Sequence, residues 1–217
     1  GRRDSNYDFG TNPCSEIVLR NKQFCNLTEL VVRPNDTLET LKEKAEIATI
    51  LGTLQSTLTS FRYLRKKWKE NTEEERLLGV SLTGIMDHPV LSDKDNCENW
   101  LNEIRKHTIE INKEWADKLN INQSVSVTCV KPSGTVSQLV DAASGIHPRF
   151  SPYYLRTVRS DKKDPLADFM IDKGFYYEED QMNASNWVFY FPMKSPENAV
   201  SADDMGAIEQ LNLWKVY

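Results

Sequence analysis

Ser124-Val125-Ser126-Val127-Thr128-Cys129-Val130 is a short β-branched run, and Lys131-Pro132-Ser133-Gly134-Thr135-Val136-Ser137 follows it with nothing between. β-Branched residues suit a pleated strand, and Pro, Gly and hydroxyl residues directly behind one mark a turn. A short helix from about Val136 completes the unit. Working outward, residues 77–83 mix apolar and small side chains and predict a buried strand ending at Gly84. Two long helices flank that strand. Asp36-Thr37-Leu38-Glu39 reads as a capping box opening the first. Its apolar positions Leu38, Leu41, Ala45, Ala48, Leu51, Leu54, Leu58 and Phe61 step by threes and fours, and it should end in the charged stretch 65–75. Ser92 reads as the N-cap of the second, with Trp100 or Leu101, Ile104, Thr108, Ile111, Trp115 and Leu119 as its core stripe. Residues 165–173 predict a helix closed by Gly174, and residues 187–191 a buried aromatic strand. Residues 1–34 read as loop-rich, apolar only at Ile17-Val18-Leu19. The alternation predicts an α/β domain with mainly parallel strands.

The 217 residues carry 27 Lys and Arg against 32 Asp and Glu, a formal net charge of −5. That is no basic footprint for duplex binding, so no nucleic acid polymer is expected as a partner. A nucleotide remains compatible, because a helix N-terminus can hold a small polyanion locally. No apolar run of about 18 residues exists, so no membrane span is expected. The start, Gly1-Arg2-Arg3-Asp4-Ser5, has neither an initiator Met nor an apolar signal core, and residues 211–217 end in apolar sequence. The chain therefore reads as an internal piece of a longer protein. Its four cysteines form no CxxC pair and its three histidines are scattered, which gives no zinc-ligand pattern and assigns no metal ligands. Such sparse cysteines do not make a secreted disulfide scaffold, so a reducing cytoplasm is the expected compartment.

Three segments could carry chemistry. Asn12-Pro13-Cys14-Ser15-Glu16 places an amide, a thiol and a carboxylate at alternate positions, which share a face in extended backbone. A carboxylate raises a neighbouring thiol's pKa, so the pair suits hydrogen-atom chemistry better than simple nucleophilic attack. Spacing alone more often describes a loop Cys beside a surface Glu. Cys25, in Phe24-Cys25-Asn26-Leu27, follows Cys14 by eleven residues; a hairpin-like return would bring them near, while by itself it reads as a buried free Cys. The 131–137 turn could present backbone N–H groups to an anion, or be an ordinary strand-to-helix turn with a hydroxyl cap. It is not a Walker A loop. Gly145-Ile146-His147-Pro148-Arg149 reads as a binding loop or a packing turn, Cys97 and Cys129 as core or helix-face cysteines, and residues 62–69 as a solvated helix end.

Taken in this order, Thr11-Asn12-Pro13-Cys14-Ser15-Glu16-Ile17, Phe24-Cys25-Asn26-Leu27 and Val130-Lys131-Pro132-Ser133-Gly134-Thr135 resemble ribonucleotide reductases, most of all the adenosylcobalamin-dependent (class II) monomeric ribonucleoside-triphosphate reductases. The resemblance runs across the chain. It implies part of a ten-stranded α/β barrel: a finger loop over residues 1–34, then a second half-barrel over 35–217 whose C-terminal third, from about Asp172, lies toward the cobalamin. It implies that Cys14 becomes a thiyl radical and takes the ribose 3′-hydrogen, that Glu16 takes the 3′-hydroxyl proton, and that Asn12 holds the ribose hydroxyls. Cys25 is implied as one of two reducing thiols that become a disulfide, and Ser133, Gly134, Thr135 and Val136 as the cradle of the substrate phosphates.

The implied cofactor is adenosylcobalamin, with its cobalt. The implied partners are a ribonucleoside triphosphate substrate, a thioredoxin-type reductant and the missing N-terminal half-barrel, and the implied role is deoxyribonucleotide synthesis for DNA replication. The partner thiol of Cys25, the C-terminal thiol pair and the allosteric specificity site are absent from these 217 residues, so the isolated piece is expected to be inactive. Two rivals stand beside this expectation. One is a ribonucleoside-diphosphate reductase catalytic subunit driven by a separate radical subunit. The other is a non-catalytic nucleotide-binding piece that uses only the 131–137 loop.

Overall fold

A computed structural model describes residues 3–217; Gly1 and Arg2, where the expected internal start begins, lie outside the described residues. In chain order the elements are β1 (Phe9–Thr11), β2 (Val18–Arg20), β3 (Asn26–Val31), α1 (Leu38–Gln55), α2 (Lys66–Glu75), β4 (Leu78–Thr83), α3 (Cys97–Leu119), α4 (Thr135–Leu139), β5 (Tyr153–Asp161), α5 (Pro165–Asp172), β6 (Tyr177–Glu179), β7 (Asn186–Lys194) and α6 (Ala207–Val216). They form two compact units: one runs up to Arg149 and takes in residues 198–217, the other is Phe150–Glu197.

The first unit is built on β4. Its Leu78, Val80 and Leu82 alternate with small residues, and the strand pairs in parallel with β3 from Asn26↔Leu78 to Val31↔Thr83. On its other edge Leu78 N donates to Ser126 O (2.9 Å), Val80 N to Val127 O (2.8 Å), and Cys129 N donates back to Val80 O (3.1 Å). The strand expected over 124–130 is therefore an irregular run with one bridge, Val80↔Thr128. α1 and α3 pack on each other, and α1 also packs on β3 and β4. The core between them includes Leu30, Leu41, Ala45, Leu78, Met86 and Ile104, and burying each large apolar side chain contributes about 1.5–3 kcal/mol. β4 stops at Gly84 as expected, where φ is +85° and a Cβ would lie 2.5 Å from Val32 O.

Helix limits differ from the spacing-based expectation for local reasons. The N-cap of α1 is Thr37, which exchanges bonds with Thr40, because Asp36 is committed to Lys44 (2.6 Å) and to Arg33 N (2.7 Å). α1 ends at Gln55, not in the charged stretch: the Ser56 and Thr57 hydroxyls donate to Thr53 O and Leu54 O and displace the next helical turn. Leu58 is 72% exposed beyond the end. The charged stretch folds as α2, with Asn71, Thr72 and Glu75 buried. α3 is capped at Asn96 rather than Ser92, whose hydroxyl donates to His88 O. Ile104, Thr108 and Ile111 are buried as expected, while Ala116, not Trp115, completes the stripe. Part of the loop-rich stretch 1–34 forms β1, β2 and β3.

In the second unit the sheet order is β5-β7-β6 and every pairing is antiparallel. β7 is the aromatic strand expected near 187–191, with Val188 and Phe189 buried. α5 starts at Asp164, whose carboxylate accepts from Leu166 N (2.9 Å), and Gly174 follows it at φ +78°. The expectation of mainly parallel strands thus holds at β3 and β4 and fails for β1–β2 and β5-β7-β6. Short connections such as the tip between β1 and β2 permit only antiparallel pairing. Among the described residues no helix is long and apolar enough to cross a membrane.

Candidate active site

β1 and β2 pair as an antiparallel hairpin, Phe9↔Arg20 to Thr11↔Val18. Asn12 closes its tip. Its N–H donates to Ile17 O (3.2 Å), its side-chain oxygen accepts from Ile17 N (3.0 Å), and its Nδ2 donates to Glu16 Oε2 (2.6 Å). Ser15 takes φ +64°, which turns the chain back. Asn12 and Glu16 are therefore brought together, as expected, through a turn rather than through extended alternation. Cys14 stands exposed at the tip as a free thiol. It lines an open cavity of about 550 Å³ together with Lys131, Pro132, His147 and, from α6, Leu211 and Trp214.

A buried ionic clamp holds the hairpin's root. Glu75, at the end of α2, accepts from Arg3 Nε (3.0 Å) and Nη2 (2.6 Å), from Arg20 Nη2 (2.9 Å) and from Gln23 Nε2 (2.5 Å). The guanidiniums of Arg3 and Arg20 also lie over the rings of Phe9 and Tyr7. Burial alone would raise the Glu75 carboxyl, but the bonds from Arg3 and Gln23 and the two positive charges hold it below its ordinary range. The hairpin's other anchor is Ile17. A Cβ on Gly79 of β4 would lie 3.1 Å from Ile17 Cδ1, 2.9 Å from Cys129 Sγ and 2.5 Å from Leu27 Cδ2, so any larger residue there would force these side chains to shift.

Cys25 is half-buried just ahead of β3. Burial, the nearby Cys129 thiol and the Glu16 carboxylate push it up to about 12, and burial with Glu16 does the same to Cys129. Both therefore stay protonated. Cys97, the first residue of α3, is a core cysteine as expected; Cys129 instead lies near Glu16 and Cys25.

In the 131–137 loop Ser133 is 1% exposed. Its hydroxyl donates to Glu29 Oε1 and accepts from Ser137 N (3.2 Å), so it pins the loop from inside. Gly134, Thr135 and Val136 are exposed, and the Thr135 and Val136 N–H groups open the first turn of α4, where no intrahelical partner exists. Lys131 Nζ pairs with Glu29 Oε2 at 2.7 Å. The 145–149 loop divides its work. Arg149 is buried in an ion pair with Asp87 (2.8 Å) and packs, while His147 faces the cavity. Glu29, Glu75, Gly79 and the α6 wall escaped sequence reasoning; an acid inside the β-prone run Asn26–Val31 was the available signal for Glu29.

No protein-family model matches the chain. It is 29% identical over 94% of its length to a probable adenosylcobalamin-dependent ribonucleoside-triphosphate reductase of Dictyostelium discoideum, covering 27% of that protein. It is 30% identical over 94% of its length to the adenosylcobalamin-dependent ribonucleoside-triphosphate reductase of Euglena gracilis, covering 28% of it, and 27% identical over 93% to that of Lactobacillus acidophilus, covering 31%. The chain thus spans about three tenths of the length of the curated relatives it matches. Its fold superposes on the crystal structure of a B12-dependent (class II) ribonucleotide reductase with a TM-score of 0.78 and 25% identity, over 97% of this chain and 33% of the other. By sequence and by fold together, this chain is similar to one stretch of the ribonucleotide reductase catalytic chain, and within that family to the adenosylcobalamin-dependent ribonucleoside-triphosphate reductases.

Proposed function

We propose that this chain is the Cys14-bearing part of a barrel that reduces ribonucleoside triphosphates to 2′-deoxyribonucleoside triphosphates for DNA synthesis in the cytoplasm. The observation that carries this reading is Cys14 itself. It lines an open cavity, with the Asn12–Glu16 pair on its own turn and Lys131-Pro132 in the same wall. In this reading the chain supplies the finger hairpin and one side of a ten-stranded α/β barrel, and the rest of the full-length protein supplies the other strands.

Cys14, as a thiyl radical, takes the 3′-hydrogen of the ribose. Glu16 accepts the 3′-hydroxyl proton; its bond from Asn12 Nδ2 fixes the carboxylate's direction. Asn12 holds the ribose hydroxyls in place. The 2′-hydroxyl leaves as water. Two thiols, Cys25 and a partner from the rest of the protein, supply two electrons and two protons and end as a disulfide; the Cys14 thiol then returns its hydrogen to the 3′-carbon, which restores the thiyl radical, and Glu16 returns its proton to the 3′-oxygen. A thioredoxin-type dithiol then reduces that disulfide. Cys25 must hold its proton until it is used, and the burial that pushes it up to about 12 does this. The exposed N–H groups of Gly134, Thr135 and Val136, with Lys131 beside them, receive the phosphates, while Ser133 braces them from behind.

The residues beside Cys14 fit adenosylcobalamin as a contact surface. Leu211 and Trp214 are more than half exposed there, an apolar face on which a broad ring can rest. Among the described residues no group of three or more His, Cys, Asp and Glu is placed to hold a bare metal ion, and cobalt in this cofactor brings its own ring ligands. Leu211, Trp214 and His147 would hold it. When bound, adenosylcobalamin supplies the radical that oxidises the Cys14 thiol.

The test is turnover by the full-length protein with adenosylcobalamin, a dithiol and each ribonucleoside triphosphate in turn. Deoxyribonucleoside triphosphate formation is expected. Reduction of diphosphates alone, and only with a separate radical subunit, would replace this reading with the diphosphate-reductase one.

A further inference from the structure

We infer that Glu29 is the positioning residue of the phosphate end of the site, holding Lys131 and Ser133 in the places from which the loop between them meets a nucleoside triphosphate. The inference rests on the phosphate role proposed above for that loop and adds a residue no motif marks.

The parallel register puts Glu29 of β3 opposite Ser81 of β4, and the Ser81 hydroxyl accepts from Lys131 N (2.9 Å). Three adjacent chain runs thus place Glu29, Ser81 and Lys131 in one row. Glu29 is 8% exposed and both of its oxygens are in use. Oε2 pairs with Lys131 Nζ at 2.7 Å and Oε1 accepts the Ser133 hydroxyl. A buried carboxylate is costly unless paired and hydrogen-bonded, and here both conditions are met by the two residues that bracket Pro132.

Two consequences follow. First, the Ser133 hydroxyl is turned inward as a donor to Glu29, and its oxygen then accepts from Ser137 N. The loop is fixed at its buried end, and its exposed N–H groups are left for the ligand. Second, Lys131 is held on the wall it shares with Cys14. An ammonium has three donors; Glu29 uses one and keeps the rest from swinging to solvent on a flexible four-carbon stem. Glu29 also offsets part of the lysine's charge, so Lys131 alone is a weak anchor for an anion. Discrimination then falls on ligands that engage Lys131 and the loop N–H groups together, as a polyphosphate chain does and a free sugar does not.

The experiment uses the full-length enzyme and compares wild type with Glu29→Gln and Glu29→Asp, reading kcat and KM for each ribonucleoside triphosphate. Glu29→Gln keeps the shape but removes the charge. KM is expected to rise about tenfold, the size of one lost charge-assisted hydrogen bond, with kcat changed less than about threefold. Glu29→Asp keeps the charge one methylene further back and should recover part of the loss. Thermal midpoints taken alongside show that Glu29→Gln is folded. An unchanged KM, or a fall in kcat with KM unchanged, would overturn the positioning role. Failure of the phosphate reading itself looks different: Lys131→Ala and Thr135→Pro would leave KM unmoved while Cys14→Ser abolished turnover. That result would remove the basis of the inference as well.

Discussion

Replacing Glu75 with Gln tests whether the clamp at the hairpin root fixes the position of Cys14. The substitution keeps the side chain's shape and removes its charge. Glu75 is 2% exposed, and its partners Arg3 and Arg20 are 17% and 5% exposed. Removing one partner of a buried ion pair costs about 3–5 kcal/mol, because the remaining charge stays buried. Two features soften that here: Arg20 keeps Glu74 at 2.9 Å, and Arg3 has partial access to water. The expected loss is therefore about 2–3 kcal/mol, equivalent to local opening about 30- to 150-fold more frequent. Hydrogen exchange of the hairpin amides, residues 9–20, reads this directly. Those amides should exchange faster by that factor in Glu75→Gln, while amides of α3 should not. The pH dependence has a definite sign. Glu75 is held below its ordinary range by Arg3, Gln23 and Arg20 against the opposing effect of burial. Its stabilisation is present above the unfolded value of about 4.3 and is lost as pH falls through the lower folded value. Wild type and variant should therefore differ fully at pH 7 and converge in acid as pH falls from about 4.3 through the lower folded value. Equal hairpin exchange in the two proteins at pH 7 would refute the clamp.

Two further outcomes follow from the packing. Gly79→Ala places a Cβ against Leu27, Cys129 and Ile17; overpacking of this kind costs about 1–3 kcal/mol, so the thermal midpoint and turnover of the full-length protein should both fall, and an unchanged midpoint would mean the hairpin does not rest on β4. Iodoacetamide at pH 8 should modify exposed Cys14 first and leave Cys25 and Cys129 as thiols, because burial pushes both up to about 12; peptide mass spectrometry showing Cys25 modified as fast as Cys14 would contradict the buried placement.

Elements with an apolar rhythm and local stop signals were legible in the sequence. β4 ends at Gly84, where φ is +85° and a Cβ would meet Val32 O at 2.5 Å, and Pro165 and Gly174 bracket α5. What periodicity missed was polar burial. Residues 62–69 read as a solvated helix end and 65–75 as a charged stretch, yet Asn71, Thr72 and Glu75 are buried: Glu75 takes Arg3 and Arg20 as ionic partners, while Asn71 and Thr72 bond to the backbone at Asn21 and Phe24, all about fifty residues or more away. β5 is largely exposed and alternates charged with apolar residues weakly, so only its long pairing with β7 defines it. Much the same holds at the site. The Asn12–Glu16 contact spans four residues and could be anticipated, while Glu29 with Lys131 and Ser133 spans more than a hundred and depends on the parallel register of β3 and β4. α6 brings Leu211 and Trp214 beside Cys14; its local start signal, the Glu209 carboxylate accepting from Gly206 N (2.8 Å), gives no hint of that placement.

The central claim is that Cys14 carries the radical step, and deoxyribonucleotide formation by full-length Cys14→Ser tests it most directly. Serine preserves the turn and its hydrogen bonds, but its O–H bond is too strong to be broken by the same radical. Wild type should form deoxyribonucleoside triphosphate and the variant none, with the variant still folded. Formation by Cys14→Ser at a rate near that of the wild type would contradict the account.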